Sequence, residues 1–431
     1  MLIQFKVKNF RSIKDEAIFS TVARHKSDLN SELHRTFTPS APATKALTRA
    51  SFIYGSNASG KSTLIKALNS MKNIVVNSNK TNNDDPLPHE PFLFSASHKS
   101  AETEFEIEII AKNVRYQYGF TFNKSRILEE WLFSYPKGKP QKWIMRYYDD
   151  DKKTTVYERC DNLQGTKKLW ENVTRDNALF LATAVQLKSS QLAPIFEWFS
   201  RTLNIIGVAG PSNTSSVNKM IGQDIKAKEQ IISFMKAADF GIQNFKVDLL
   251  DYEQKFNELP TEVQSILQAS DNQLQFVEIQ AAHKNDRGEL EYLNFEQESD
   301  GTQKIFELAG PWLDALTEGK VIVMDEMNMH LHPNLASFLI KLFYNNELNQ
   351  KFSQLITTTH ESNFLKSDIA RRDQLWVMSK CQDGSSNLLP FTDYSPRNDE
   401  NLQRSYLDGR FKGVPVTSFV DIVRARAVLN G

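Results

Sequence analysis

The sequence predicts an α/β fold: buried strands and helices at the two ends of the chain, with a large insertion of β-meander and helices between them. Three observations carry this. A β-type run, Ala50-Ser51-Phe52-Ile53-Tyr54, passes through a glycine-containing loop into an amphipathic helical run from Thr63 to Met71. Two more apolar runs come late in the chain: Val321-Ile322-Val323-Met324, which ends in the carboxylates Asp325 and Glu326, and Gln354-Leu355-Ile356-Thr357-Thr358, which is followed closely by His360. Between these ends lie four segments of alternating apolar and polar residues separated by turn residues, the pattern of an antiparallel meander.

In chain order, residues 1–7 alternate as a strand and lead through Lys8-Asn9-Phe10-Arg11-Ser12-Ile13 into further strand-like sequence to about Val22. A polar connection, roughly Lys26 to Ala46, precedes the loop strand and helix, and Asn77 to Pro91 is an Asn/Asp/Pro-rich loop. The alternating segments are Glu104–Ile110, Arg115–Phe122, Glu129–Tyr135 and Trp143–Tyr148. From about Gly165 to Phe240 the pattern is helical, and a helix-and-strand stretch follows to Phe295. The expected division is 1–75 and 295–431 as the two parts of a head, 76–165 as a β-rich insertion and 166–294 as a mainly helical one. There is no internal repeat and no sustained heptad, which excludes a long coiled coil.

Composition narrows the setting. The 431 residues suffice for two or three domains, and Lys+Arg and Asp+Glu are equal at 52 each, so bulk charge argues neither for nor against nucleic acid. Two distant cysteines, Cys160 and Cys381, suggest a reducing compartment without a disulfide framework. The first residues lack the apolar core of a signal peptide, and no apolar run approaches the roughly 20 residues that span a bilayer, so the expected location is cytoplasmic, with no membrane partner.

The loop Gly55-Ser56-Asn57-Ala58-Ser59-Gly60-Lys61-Ser62-Thr63 fits G-x-x-x-x-G-K-[ST], between a strand and a helix as that motif requires. Gly55 and Gly60 allow successive N–H groups, including those around Asn57 and Thr63, to curl about a polyphosphate at a helix N-terminus. Lys61 would reach the terminal phosphates and Ser62 would hold Mg²⁺. At the C-terminal end of an apolar strand, where open α/β sheets bind ligands, Asp325 suits the metal and Glu326 suits the orientation of an attacking water. His360, just past the next strand, could hydrogen-bond a γ-phosphate. Ser299 and Gly301 open a helical run and could cap it or offer N–H groups to a phosphate.

In this order, the four pieces resemble the ATP-binding-cassette (ABC) ATPases, and more closely the soluble branch that contains the SMC, RecF and OLD-type proteins. The resemblance implies an ABC-type P-loop head, ATP and Mg²⁺ as cofactors, and a dimer or higher homo-oligomer in which a signature motif of one subunit covers the ATP held by the other. Ser299, Gly301, Thr302 and Gln303 match that signature, Glu326 the catalytic base and His360 the switch histidine. Residues 328–333, ending Leu331-His332-Pro333, fall where the dimer-contact loop lies. Asn9-Phe10-Arg11-Ser12 resembles the branch's N-terminal motif, which brings Arg11 to the phosphates. The glutamine loop has no counterpart: Phe92-Leu93-Phe94-Ser95 stands in its place.

The insertion exceeds 200 residues and lacks long heptad arms, which sets the chain apart from transporter and chromosome-organising members. What remains is similar to the compact ATPases of bacterial anti-phage defence, and Ser405–Pro415 resembles the C-terminal motif of abortive-infection ATPases. Only about 70 residues follow His360, too few for the nuclease domain of OLD proteins, and Asp149-Asp150-Asp151 reads as a hairpin tip. The implied function is an ATPase switch controlling a separate nuclease or toxin. A RecF- or SMC-like repair ATPase that binds DNA is the alternative.

Overall fold

The computed structural model describes residues 1–24, 34–80, 82–207, 225–238, 240–250, 256, 264, 276–397 and 400–415. Most of the first half of the polar connection and more than half of the 208–275 stretch lie outside these. The chain divides into two compact units: 1–208 with 318–328 and 339–431, and 209–317 with 329–338.

The first unit opens with β1 (Leu2–Lys8), β2 (Ala17–Ser20), the ribbon β3 (Thr36–Phe37) and β4 (Leu47–Thr48), then β5 (Ala50–Tyr54), helix α1 (Lys61–Asn77) and the short α2 (Ala96–Lys99). The meander is β6 (Thr103–Ala111), β7 (Val114–Phe122), β8 (Ile127–Tyr135), β9 (Gln141–Asp149) and β10 (Thr154–Tyr157). Helices α3 (Lys167–Val173), α4 (Phe180–Gln186) and α5 (Ala193–Glu197) lead to β11 (Leu203–Ile206). The second unit holds α6 (Ile225–Ala237), β12 (Asn244–Leu250), β13 (Phe276–Lys284), β14 (Leu290–Asn294) and α7 (Asp300–Glu318), apart from the last residue of α7. After it come β15 (Val321–Met324), α8 (Pro333–Tyr344), β16 (Gln354–Thr358), β17 (Leu375–Lys380), β18 (Ser386–Pro390) and α9 (Leu402–Leu407).

The sheet that positions the site has the order β11-β15-β16-β5-β17-β18, parallel except for β18. Its central strands β15, β16 and β5 are buried along their whole length because both faces are covered, and β15 is apolar throughout. The antiparallel sheet, β10-β9-β8-β7-β6-β1-β2, shows the opposite signature: β6 alternates buried and half-buried residues from Thr103 to Glu108. One continuous core joins the inner face of that sheet (Phe5, Phe105, Ile107), α1 (Leu64, Leu68, Met71) and the parallel strands (Val323, Ile356).

A division at 75/76 would cut the antiparallel sheet, because β6 pairs with β1 along Lys6↔Glu106 and its neighbours, and Lys6 Nζ lies 2.7 Å from Glu104. Alternation reports that a segment is a strand but not which distant strand it pairs with. Within the 166–294 stretch expected to be mainly helical, β11 pairs with β15 in the parallel sheet, while β12-β13-β14 form a three-stranded antiparallel sheet of the second unit. In that unit Phe306 of α7 packs on Phe295 and Phe245, with ring centroids 4.4 and 5.1 Å apart.

A buried ion pair ties α4 to the meander. Arg146 Nε lies 2.8 Å from Glu130, whose two oxygens also accept the N–H groups of Phe180 and Leu181 and the hydroxyl of Tyr118. All donors around the carboxylate are thus used, the condition for tolerating a charge in a core.

Candidate functional site

The parallel ladder puts three strand ends in step. Met324 of β15 lies opposite Thr357 of β16, and Thr358 opposite Ile53 of β5. The residues that follow these strands therefore emerge together: Asp325 and Glu326 after β15, His360 after β16, and the Gly55–Gly60 loop after β5. This is the edge where open α/β sheets bind ligands.

The loop is held by tight packing. Gly60 precedes α1 with φ 107°, and a Cβ there would lie 2.2 Å from Ser386 Oγ and 3.1 Å from Ser12 Oγ. A Cβ on Gly55 would lie 2.4 Å from the carbonyl oxygen of Met378. Only glycine fits at either position. The 17-residue α1 starts without a side-chain cap and with no acidic residue in its first turn, so its N-terminal N–H groups and dipole are left for an anion. Lys61 is 6% exposed and its ammonium donates back into the loop, to the carbonyls of Gly55 (2.9 Å) and Ser56 (3.1 Å). Burial holds its pKa below the ordinary value, against the opposing pull of Glu326 and Asp325. Ser59 Oγ is buried without a hydrogen-bond partner among the described residues. Asn57 is exposed, and Ser62 and Thr63 are half-buried. An uncapped helix, an inward lysine and an orphaned hydroxyl form a donor set that fits a polyphosphate.

Asp325 Oδ1 accepts the Thr358 hydroxyl at 2.5 Å, and the same hydroxyl accepts the N–H of Glu326 at 2.8 Å. Glu326 has φ 50°, and its carboxylate lies 3.8 Å from His360 Nε2, too far for a hydrogen bond. Burial, then the charge of Lys61, holds the His360 pKa below its ordinary value, with Glu326 and Asp325 acting the other way. The imidazole is therefore neutral at neutral pH. Lys61, Asp325, Glu326 and His360 share one electrostatic environment.

Arg11 is engaged by its own neighbours. Its φ is 49°, its guanidinium pairs with Glu90 and it sits over the Phe10 ring. Its neighbour Ser12 touches the loop helix: the Ser12 hydroxyl lies 3.2 Å from Thr63 Oγ1 and accepts from Ser386 Oγ at 2.9 Å. Asn9 of the same motif is buried, donates to three carbonyls of the 98–102 segment and accepts the N–H of Phe92. The Phe92–Ser95 segment is thereby anchored at Phe92, while Phe94 is 80% exposed.

In the second unit, Ser299 caps α7: its hydroxyl accepts the N–H of Thr302 at 3.2 Å. A Cβ on Gly301 would lie 3.3 Å from the carbonyl oxygen of His330. His332 Nδ1 accepts the N–H of Asn334. No group of three or more His, Cys, Asp or Glu that could hold a metal occurs among the described residues. Asp149 closes its hairpin by accepting the N–H groups of Asp151 and Lys152. The C-terminal segment packs against the loop strand: Tyr406 meets Tyr54 edge-on at 5.1 Å and its hydroxyl donates to the carbonyl of Gly413 at 3.1 Å.

The sequence alone assigns no role to the hydroxyls of Thr358, Ser12 and Ser386. The signal for Thr358 was present, since three consecutive threonines before a histidine at a strand end offer hydroxyls where backbone pairing stops. Ser386 has none, because it reaches Gly60 only through the pairing of β18 with β17.

A parallel sheet with a glycine loop before α1, and carboxylates after the strand two places away, is the arrangement of a P-loop nucleotide-binding domain. The chain belongs to the family described as "AAA domain, putative AbiEii toxin, Type IV TA system", whose model matches residues 50–366. Among solved structures it is similar to the SMC head domain from Thermotoga maritima, at 14% identity and TM-score 0.39, over 90% of this chain and 98% of that one. It is also similar to SmcHead bound to the C-winged helix domain of ScpA, at 12% identity and TM-score 0.42, over 90% and 96%. No curated protein matches the chain. Among the described residues, no helix is long and apolar enough to cross a membrane.

Proposed function

We propose that this chain is an ATP-hydrolysing switch of a bacterial anti-phage, abortive-infection system, which dimerises around ATP and controls a separate nuclease or toxin. The observation that carries the reading is the convergence of Lys61, Asp325, Glu326 and His360 at the ends of three adjacent parallel strands. Family membership supports the ATPase part and a toxin-related setting.

In this reading, the Gly55–Thr63 loop cradles the phosphates, Lys61 turns from its loop carbonyls toward them, and Ser62 and Asp325 hold magnesium. Bound Mg·ATP supplies the phosphoanhydride to be split and the cation that offsets its charge. Glu326 orients water and accepts its proton, and neutral His360 donates a hydrogen bond to a terminal phosphate oxygen. Ser299 and Gly301 of a second subunit complete the site, with Asn328 on the dimer-contact loop. Arg11 would have to leave Glu90 to reach the phosphates.

Glu326→Gln is expected to stop turnover and accumulate an ATP-bound dimer in light scattering after gel filtration, while Lys61→Ala abolishes ATP binding. Wild-type turnover in Glu326→Gln would refute the role of Glu326. Phage challenge of cells carrying either variant with its neighbouring genes tests the defence role: full protection by both variants would remove it.

One observation favours the DNA-binding alternative. A 530 Å³ cleft in the first unit is lined by Lys72, Arg201 and Lys320 with a single acid, Glu318. DNA affinity that falls steeply with salt and drops in Lys72→Ala would support that reading.

A further inference from the structure

We propose that Thr358 is a positioning residue, whose buried hydroxyl sets both the Asp325 carboxylate and the backbone of Glu326. The inference rests on the reading of the site given under Proposed function. Thr358 is fully buried at the end of β16, and the ladder places Thr357 opposite Met324, so Thr358 falls beside the turn that carries the two acids. Its hydroxyl makes two bonds whose directions are forced. The N–H of Glu326 can only donate, so the oxygen of Thr358 accepts it at 2.8 Å. An ionised carboxylate can only accept, so the single hydroxyl proton goes to Asp325 Oδ1 at 2.5 Å. Oδ2 is left without a donor among the described residues, available to a cation.

The second bond matters because Glu326 stands at φ 50°, a region that non-glycine residues seldom occupy. A left-handed residue at the end of a strand turns its side chain out of the β alternation. Here that aims the carboxylate toward His360, 3.8 Å away. Without an acceptor for its N–H, this backbone would relax toward the extended region and take the carboxylate with it. The next residue repeats the device: Thr359 Oγ1 donates to Asn328 Oδ1 at 3.0 Å and accepts the N–H of Glu361 at 2.9 Å. The end of β16 thus grips the 325–328 turn at two points, and Thr358 holds the point that carries the acids.

The test compares full-length wild type with Thr358→Val, Thr358→Ala and Thr358→Ser. Valine keeps the shape and removes the hydroxyl, serine keeps the hydroxyl, and alanine substitutes for valine should Thr358→Val fail to fold. The readouts are kcat and KM for ATP, the Mg²⁺ concentration at half-maximal rate, and calorimetric ATP affinity in EDTA and in Mg²⁺. Loss of a hydrogen bond to a charged group predicts that Val and Ala lower kcat by about tenfold or more and raise the Mg²⁺ requirement by roughly threefold or more, with affinity in EDTA changed less than about twofold. Ser is expected to stay near wild type on every readout. Wild-type kcat and Mg²⁺ requirement in Val and Ala would overturn the proposal, as would Ser falling as far as they do. A wild type that binds no ATP in either condition would overturn the reading of the site and this inference together. A wild type that binds and hydrolyses ATP alongside unaffected Val and Ala variants would remove this inference alone.

Discussion

Gly60→Ala tests the packing around the loop with a magnitude set by the structure. The backbone at Gly60 has φ 107° and ψ 8°, and holding an L-residue in a left-handed conformation costs roughly 1–2 kcal/mol. The added methyl would also lie 2.2 Å from Ser386 Oγ and 2.8 Å from Ser386 Cβ. A contact with Cβ cannot be relieved by rotating the side chain, so β18 or the loop must move, and such overpacking costs about 1–3 kcal/mol. The sum, about 2–5 kcal/mol, should appear as a shifted midpoint in urea unfolding with an unchanged slope. The two parts separate in a cycle with Ser386→Gly, which removes the steric conflict but not the backbone strain. A coupling of about 1–3 kcal/mol in favour of the double variant is expected. Gly60→Ala within about 0.5 kcal/mol of wild type, or no coupling to Ser386→Gly, would refute the packing argument.

Glu130→Ala should destabilise the first unit by about 3–5 kcal/mol in denaturant unfolding, because it strands the buried Arg146 together with two helix N–H groups. Tyr406→Ala should cost about 3–5 kcal/mol and Tyr406→Phe only about 1 kcal/mol, since the ring packs on Tyr54 while the hydroxyl makes one bond to Gly413. For His360, burial and Lys61 depress the folded-state pKa below 6.5, so the unfolded chain takes up the proton first. Its contribution is therefore intact above that value and declines as pH falls through and below it. The stability difference between wild type and His360→Gln should shrink or reverse between about pH 7.5 and about pH 5.5, and a difference independent of pH would contradict the assignment.

Legibility from sequence tracked how local the determining physics is. The strands Ala50–Tyr54, Val321–Met324 and Gln354–Thr358 are readable to the residue, because burial on both faces favours short runs rich in apolar and β-branched residues, each ended by the loop that follows. The meander was equally clear from its alternation. Its attachment to β1 was not, since nothing in Thr103–Ala111 names a partner about 100 residues upstream. The four-residue β11 was lost among helices because Leu203–Ile206 is too short for any period to register. At the site, Lys61, Asp325, Glu326 and His360 were legible by type and order. Thr358 carried a weak signal in its threonine run, and the pairing of Arg11 with Glu90 carried none, because it depends on a loop path rather than a pattern.

The place of β5 between β16 and β17 also bears on how the protein is made. The strand that carries the phosphate loop leaves the ribosome early, but one neighbour follows about 300 residues later and the other later still. At about 5–20 residues per second, its two edges wait roughly 15–65 s for partners during synthesis. Contacts of such long sequence separation form slowly and leave a bare apolar strand exposed meanwhile. A nascent chain therefore carries the complete loop sequence long before it has a loop that can close on a nucleotide, and premature termination anywhere before β16 yields a product that lacks both a strand neighbour of β5 and His360.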